Sequence, residues 1–167
     1  FCGHGCLSQD GQRLFLTTYA YERPMGVIAV HEARAPFRRL TQFDTQGLDP
    51  HQLALLPDGQ TLVVANGGIL THPDSEREML NLGTMAPSLV YLDTASGQVL
   101  EQWRPPHHQI SLRHLAVSAS GTVVIGAQAH TPGIEEHPHA LVFQHRRGGP
   151  LRALDAPAPE WRLMNQY

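Results

Sequence analysis

The chain is short of most features that announce a chemistry. It has two cysteines, Cys2 and Cys6, in 167 residues, too few for a disulfide framework. Drawn as a strand, residues 2–6 set both thiols on one face about 13 Å apart, beyond disulfide reach. They read as small residues of a buried strand, with a soft-metal set of Cys2, His4 and Cys6 as the sharper alternative. Charged residues make up 16% and the formal net charge is −3, so there is no electrostatic case for nucleic acid or an anionic membrane as partner. No apolar run approaches the ~18 residues of a membrane-spanning helix, and these residues contain no leader-like stretch. There is no Gly-x-Ser-x-Gly elbow, P-loop or dinucleotide glycine turn, and no Cys-x-x-Cys-His haem attachment. Nothing suggests a paired-carboxylate glycosidase. No catalytic residue is assigned, and the balance leans away from an enzyme.

What is present is a globular composition. Hydrophobic residues make up 41%, too many for disorder. Fifteen Gly and thirteen Pro suit short strands joined by turns. Eleven His is the one compositional excess.

A repeat organises these residues. Three segments open with a His and alternate apolar residues, then reach a small-residue turn and a second apolar run. The first is His4 to Gly11 followed by Leu14-Phe15-Leu16. The second is His51 to Gly59 followed by Leu62-Val63-Val64-Ala65. The third is His114 to Gly121 followed by Val123-Val124-Ile125. Asp-Gly or Ser-Gly between apolar runs signals a hairpin, because Gly accepts the positive φ of a tight turn. Each copy continues into a second hairpin, over 26–43, 89–103 and 140–154. The turn glycines Gly11, Gly59 and Gly121 lie 48 and 62 residues apart. Four antiparallel strands repeating at ~40–50 residues mark a β-propeller blade. The fold class predicted is all-β, a partial propeller of about three blades covering 1–49, 50–112 and 113–156. A short amphipathic helix is predicted over 157–166, with Pro159 in its first turn and Trp161 and Met164 available to dock it. Three blades do not close a ring of ~4–8, and both ends look cut, so the sequence reads as a piece of a longer protein. Exposed blade edges would then invite self-association.

One stretch breaks the regular spacing. Between the strand Thr61–Ala65 and the strand Ser88–Asp93 lie about twenty residues, a length that in compact domains is usually functional or disordered. Ile69, Leu70, Met79, Leu80, Leu82 and Met85 give it apolar groups to pack, so an ordered excursion is expected.

The run Ala65-Asn66-Gly67-Gly68-Ile69-Leu70-Thr71-His72-Pro73-Asp74-Ser75, with Leu80-Asn81-Leu82 and Met85 to Asp93, resembles a bacterial family known only as a domain of unknown function. Gly3-His4-Gly5, Pro50-His51, Arg113 to Val117 and Trp161 to Met164 resemble it too, so the likeness covers essentially the whole chain. It implies a seven-bladed propeller of about twice this length, exported to the periplasm as a cell-envelope protein. It implies no activity and no catalytic residues, and Cys2 and Cys6 are not part of its pattern.

Propeller geometry sorts the loops. Turns between strands one and two, and three and four, leave one face and are short here. The other loops, Tyr19–Met25, Asp44–Pro50, Asn66–Pro87, Pro105–Ser111 and Ala129–Pro138, leave the opposite face and are long. Binding residues favour elaborated loops on a rigid scaffold. The ligand-binding candidates are therefore Asn66, Gly67, Gly68, Thr71, His72, Asp74 and Tyr21, with Tyr19 and Glu22 beside them. The plainer reading of Asn66 and Asp74 is turn hydrogen bonding. His4, His51 and His114 would ring the channel mouth on the same face, as metal candidates for a divalent ion. Two expectations weigh against one shared ion. His51 lies eight residues before its turn glycine and the others seven, so its side chain points elsewhere unless a bulge intervenes. Equivalent atoms of adjacent blades are also expected too far apart. Hydrogen bonding from blade to blade is then the plainer role. Glu135-Glu136-His137-Pro138-His139 with His130, and His107-His108, are weaker ligand clusters. Arg38-Arg39 and Arg146-Arg147 read as solvated charge. Function is read first as a scaffold binding an unknown protein or small ligand, with metal binding, catalytic or not, as the alternative.

Overall fold

A computed structural model of the chain describes residues 2–75, 78–130 and 141–154. Twelve strands form three four-stranded antiparallel sheets. The first holds β1 (Gly5–Leu7), β2 (Arg13–Ala20), β3 (Met25–Glu32) and β4 (Arg39–Asp44) in chain order. The second holds β5 (Pro50–Leu55), β6 (Thr61–Asn66), β7 (Ser88–Asp93) and β8 (Val99–Trp103). The third holds β9 (Ile110–Val117), β10 (Thr122–Ala129), β11 (Val142–Arg146) and β12 (Arg152–Ala153). Each sheet is one blade, and β1, β5 and β9 adjoin as the innermost strands. The helix expected over 157–166 lies outside the described residues, as do Glu135, Glu136, His137 and His139. No helix among the described residues is long and apolar enough to cross a membrane.

The burial pattern follows from blade stacking. In β6 every residue from Thr61 to Asn66 is buried. Leu62 and Val64 pack with Phe15, Ile28 and Phe43 of the first blade. Val63 and Ala65, one residue out of phase, pack with Leu112, Ile125 and Phe143 of the third. A strand covered on both faces must be apolar at every position, which is why Thr61–Ala65 reads as a continuous run. In β10 burial alternates along the strand, because one face of that blade has no neighbour among the described residues. Each fully buried Leu or Val of β6 contributes about 1.5–3 kcal/mol.

The turns carry their own chemistry. Asp58 Oδ1 accepts from Gln60 N at 2.8 Å and Thr61 N at 2.9 Å. Gly97 ends the β7–β8 turn with φ 72°. A methyl there would stand 2.2 Å from the Phe43 ring, so the position suits glycine through both conformation and space.

The excursion between β6 and β7 is ordered at both ends. Gly67 N donates to Asp49 O at 2.7 Å and Gly68 N to Leu48 O at 3.0 Å. Asn81 bridges its two limbs, donating through Nδ2 to Gly68 O at 2.9 Å and accepting from Leu70 N at 2.6 Å. Short 3-10 turns form at Pro73–Ser75 and Leu82–Thr84. Its own Ile69 and Met85 are buried.

Candidate metal centre

Where the three innermost strands adjoin, one side chain just before β1, one in β5 and one in β9 come together. The ligating atoms of His4, His51 and His114 all lie within 4.8 Å of one another. Their ring centroids are 5.4 Å apart for His4–His51, 5.5 Å for His4–His114 and 4.8 Å for His51–His114. Among the described residues this is the one set of three or more His, Cys, Asp or Glu side chains that converges in this way. The expected separation was a separation of blades. Imidazoles reach inward from the strands and close most of it.

The register expectation also resolves. Pro50 pairs with Asn66 and Gln52 with Ala65, leaving His51 as the extra residue of a β-bulge. The bulge re-aims His51 toward the channel. In the first blade Thr17 N donates to His4 O at 3.0 Å. In the third, His114 pairs with Gly126 next to a second irregularity.

Gln52, which the bulge displaces, has a task that the sequence did not reveal. Its amide spans the seam between blades two and three. Nε2 donates to Leu115 O at 3.2 Å, and Oε1 accepts from Leu115 N at 3.1 Å. The same oxygen lies 3.1 Å from His114 Nδ1. A side-chain oxygen only accepts, so His114 carries its proton on Nδ1 and leaves the Nε2 lone pair free.

Electrostatics favour the neutral form of two of the three. Burial, the Arg113 guanidinium and the two neighbouring imidazoles push His51 down to about 3. Burial, His4 and Arg113 also lower His114. Neutral imidazoles are the ligating form. Around a tetrahedral ion with metal–nitrogen bonds of ~2.0–2.1 Å, nitrogens stand roughly 3.4 Å apart. The trio, with ligating atoms within 4.8 Å of one another, stands somewhat wider than that spacing. Three protein ligands would leave one position open, and imidazole suits zinc, copper, iron and nickel.

The cysteines do not join the set. Both are half-buried free thiols. Burial raises Cys2 and pushes Cys6 up to about 11, which disfavours the thiolate that binds metal.

The ligand-binding candidates divide into two groups. Asn66 is fully buried, and its Nδ2 donates to Thr45 O at 3.0 Å and Ser88 Oγ at 3.1 Å. Gly67 and Gly68 hold the excursion against Leu48 and Asp49. These three make contacts within the fold, and Asn66 Oδ1 is buried without a hydrogen-bond partner. Tyr21, Thr71, His72 and Asp74 are accessible. The Tyr21 and His72 rings meet edge to face at 6.0 Å, and Tyr19 lies 5.1 Å from Tyr21. His72 Nδ1 accepts from Asp74 N at 3.2 Å. His107 and His108 stack on each other at 4.9 Å.

Known proteins share this architecture. Hydrazine synthase of Kuenenia stuttgartiensis superposes with a TM-score of 0.65 at 19% identity, over 89% of this chain and 40% of that one. The β-propeller domain of the Trilobed protease from Pyrococcus furiosus superposes with a TM-score of 0.51 at 12% identity, over 91% of this chain and 42% of that one. This chain therefore spans less than half the length of either, and at these identities the likeness is one of fold. Comparison with curated proteins gave no match. The sequence profile described as "Protein of unknown function (DUF1513)" matches residues 1–167, and the chain belongs to that family.

Proposed function

We propose that this propeller binds a divalent transition metal at its channel mouth through His4, His51 and His114. One observation carries the reading. Three imidazoles, one from each blade, bring their ligating atoms within 4.8 Å. A bulge aims one of them and a cross-blade amide orients another. Packing alone asks for neither device. Elemental analysis of protein purified without an affinity tag tests it. The expected result is one equivalent of metal, lost in His51→Ala and in His114→Ala. Absence of metal, together with no thermal shift on adding zinc, copper, nickel or ferrous ions, overturns it.

A second reading rests on a different observation. Tyr21 and His72 join loops of two blades into an exposed aromatic pair on the long-loop face, with half-buried Tyr19 of β2 behind Tyr21. Such a pair suits a scaffold that docks a protein or small ligand. The periplasmic setting implied by the family resemblance is part of both proposals. Fractionation of cells expressing the native gene, with the protein outside the periplasmic fraction, refutes it.

A further inference from the structure

The seam between the second and third blades also opens into a cleft, away from the imidazoles along β5. His51 stands near the start of that strand, and Pro57 and Asp58 lie in the turn after its end. That turn, the β9–β10 turn with Ala119, and Arg146 and Arg147 at the end of β11 line a cleft of about 240 Å³. Two blades thus build one concavity from their tight turns.

The cleft holds cationic groups that the fold leaves largely unspent. Arg147 Nη1 donates to Thr61 Oγ1 at 3.3 Å, which carries its guanidinium across the seam to the second blade. The bond occupies one of five N–H donors. The Arg146 side chain is exposed and has no hydrogen bond or ion pair among the described residues. Asp58, the one acidic group in the lining, is engaged by its own turn. Its Oδ1 accepts from Gln60 N and Thr61 N, and its Oδ2 accepts from Thr61 Oγ1 at 2.8 Å. Among the described residues it forms no ion pair with either arginine. Glu101 lies outside the lining and accepts from Trp103 Nε1 and Gly148 N.

Charge and shape say what the cleft takes. Two guanidinium groups against one carboxylate leave one net positive charge in the lining. A monoanion neutralises it, and a planar carboxylate matches the forked donors of arginine. Pro57 and Ala119 are exposed and give the cleft an apolar wall. Its volume falls below the ~300–1,000 Å³ of pockets for drug-sized molecules, so the ligand is small.

We propose that this cleft is a binding site for a short organic carboxylate, held by Arg146 and Arg147 with its aliphatic body against Pro57 and Ala119. Its lining shares no residue with the imidazole trio, so the proposal stands apart from the metal reading.

Butyrate is the probe, titrated into the protein by calorimetry at low ionic strength. Butylamine and inorganic phosphate are titrated in parallel. The expected result is saturable binding of butyrate, weaker binding of phosphate and none of butylamine. Added salt should weaken the butyrate complex, because exposed charges are screened. Arg146→Gln should weaken it about tenfold, the scale of a lost hydrogen bond to a charged group. The melting temperature of that variant should match the parent's, since the Arg146 side chain has no partner to lose. His51→Ala should bind butyrate as the parent does. Absence of saturable butyrate binding overturns the proposal. Butyrate affinity unchanged in Arg146→Gln, or lost in His51→Ala, puts the ligand elsewhere and overturns it too. Phosphate bound more tightly than butyrate overturns the carboxylate assignment, and butylamine bound as well as butyrate overturns the charge argument.

Discussion

Replacing Gln52 with Ala removes three contacts at once. The amide donates to Leu115 O at 3.2 Å, accepts from Leu115 N at 3.1 Å and lies 3.1 Å from His114 Nδ1. Leu115 is 7% exposed, so its backbone groups do not gain full hydration in exchange. Leaving them short of partners should cost about 1–3 kcal/mol. At about 2–4 °C per kcal/mol for a chain of this size, the melting temperature should fall by a few degrees or more. His114 also loses the acceptor that fixes its tautomer and ring orientation. Loss of such a partner typically weakens metal binding ~10–100-fold, or about 1.4–2.7 kcal/mol. Gln52→Glu separates the two effects. It keeps an acceptor for His114 Nδ1 and Leu115 N but loses the donor to Leu115 O. Its stability should drop, while its zinc affinity stays near that of the parent. Thermal melts and zinc titration calorimetry on the three proteins measure both quantities. Equal loss of zinc affinity in both variants would refute the claim that Gln52 acts on the metal through His114. Unchanged melting in Gln52→Ala would refute the cross-blade hydrogen bonds themselves.

Two further outcomes follow from buried and turn contacts. His145 Nε2 donates to Gly149 O at 2.8 Å, so Nδ1 must accept the Tyr91 hydroxyl proton at 2.6 Å. Tyr91→Phe leaves that nitrogen buried and unpaired, at a cost of about 1–3 kcal/mol; a urea midpoint equal to the parent's contradicts this tautomer. Burial raises the Asp58 carboxyl, but hydrogen bonds from Gln60 and Thr61, with the Arg147 charge, outweigh it and leave it lowered. A lowered folded value adds stability that is complete above the unfolded value of about 3.9 and is lost as pH falls through the folded one. Asp58→Asn should therefore be less stable than the parent at neutral pH, with the gap closing below about pH 4. A gap that stays constant across urea titrations at pH 7 and pH 3 would count against this assignment.

What sequence decides here is local. Period-two alternation, the Asp-Gly and Ser-Gly turns and the recurring His at each blade start follow from the pleat and from the φ that glycine permits. These features indicated the all-β class and the three four-stranded sheets. The continuous apolar run Thr61–Ala65 even marked the blade that is covered on both sides. Four outcomes needed the tertiary structure. Counting from Gly59 misplaces His51, because a bulge adds one residue without leaving a compositional mark. Whether three blades bring imidazoles within bonding range depends on how closely the innermost strands stack. Gln52 looks like any exposed strand residue until Leu115 of the next blade, 63 positions away, is set opposite it. Asn66, Gly67 and Gly68 are distinctive in sequence and were named as candidate ligand contacts; the structure adds that Gly67 and Gly68 bond to the linker at Asp49 and Leu48, and Asn66 to Thr45 and Ser88. A pattern along the chain reports which residues share a face. Which faces meet, and at what distance, is settled only when the blades pack.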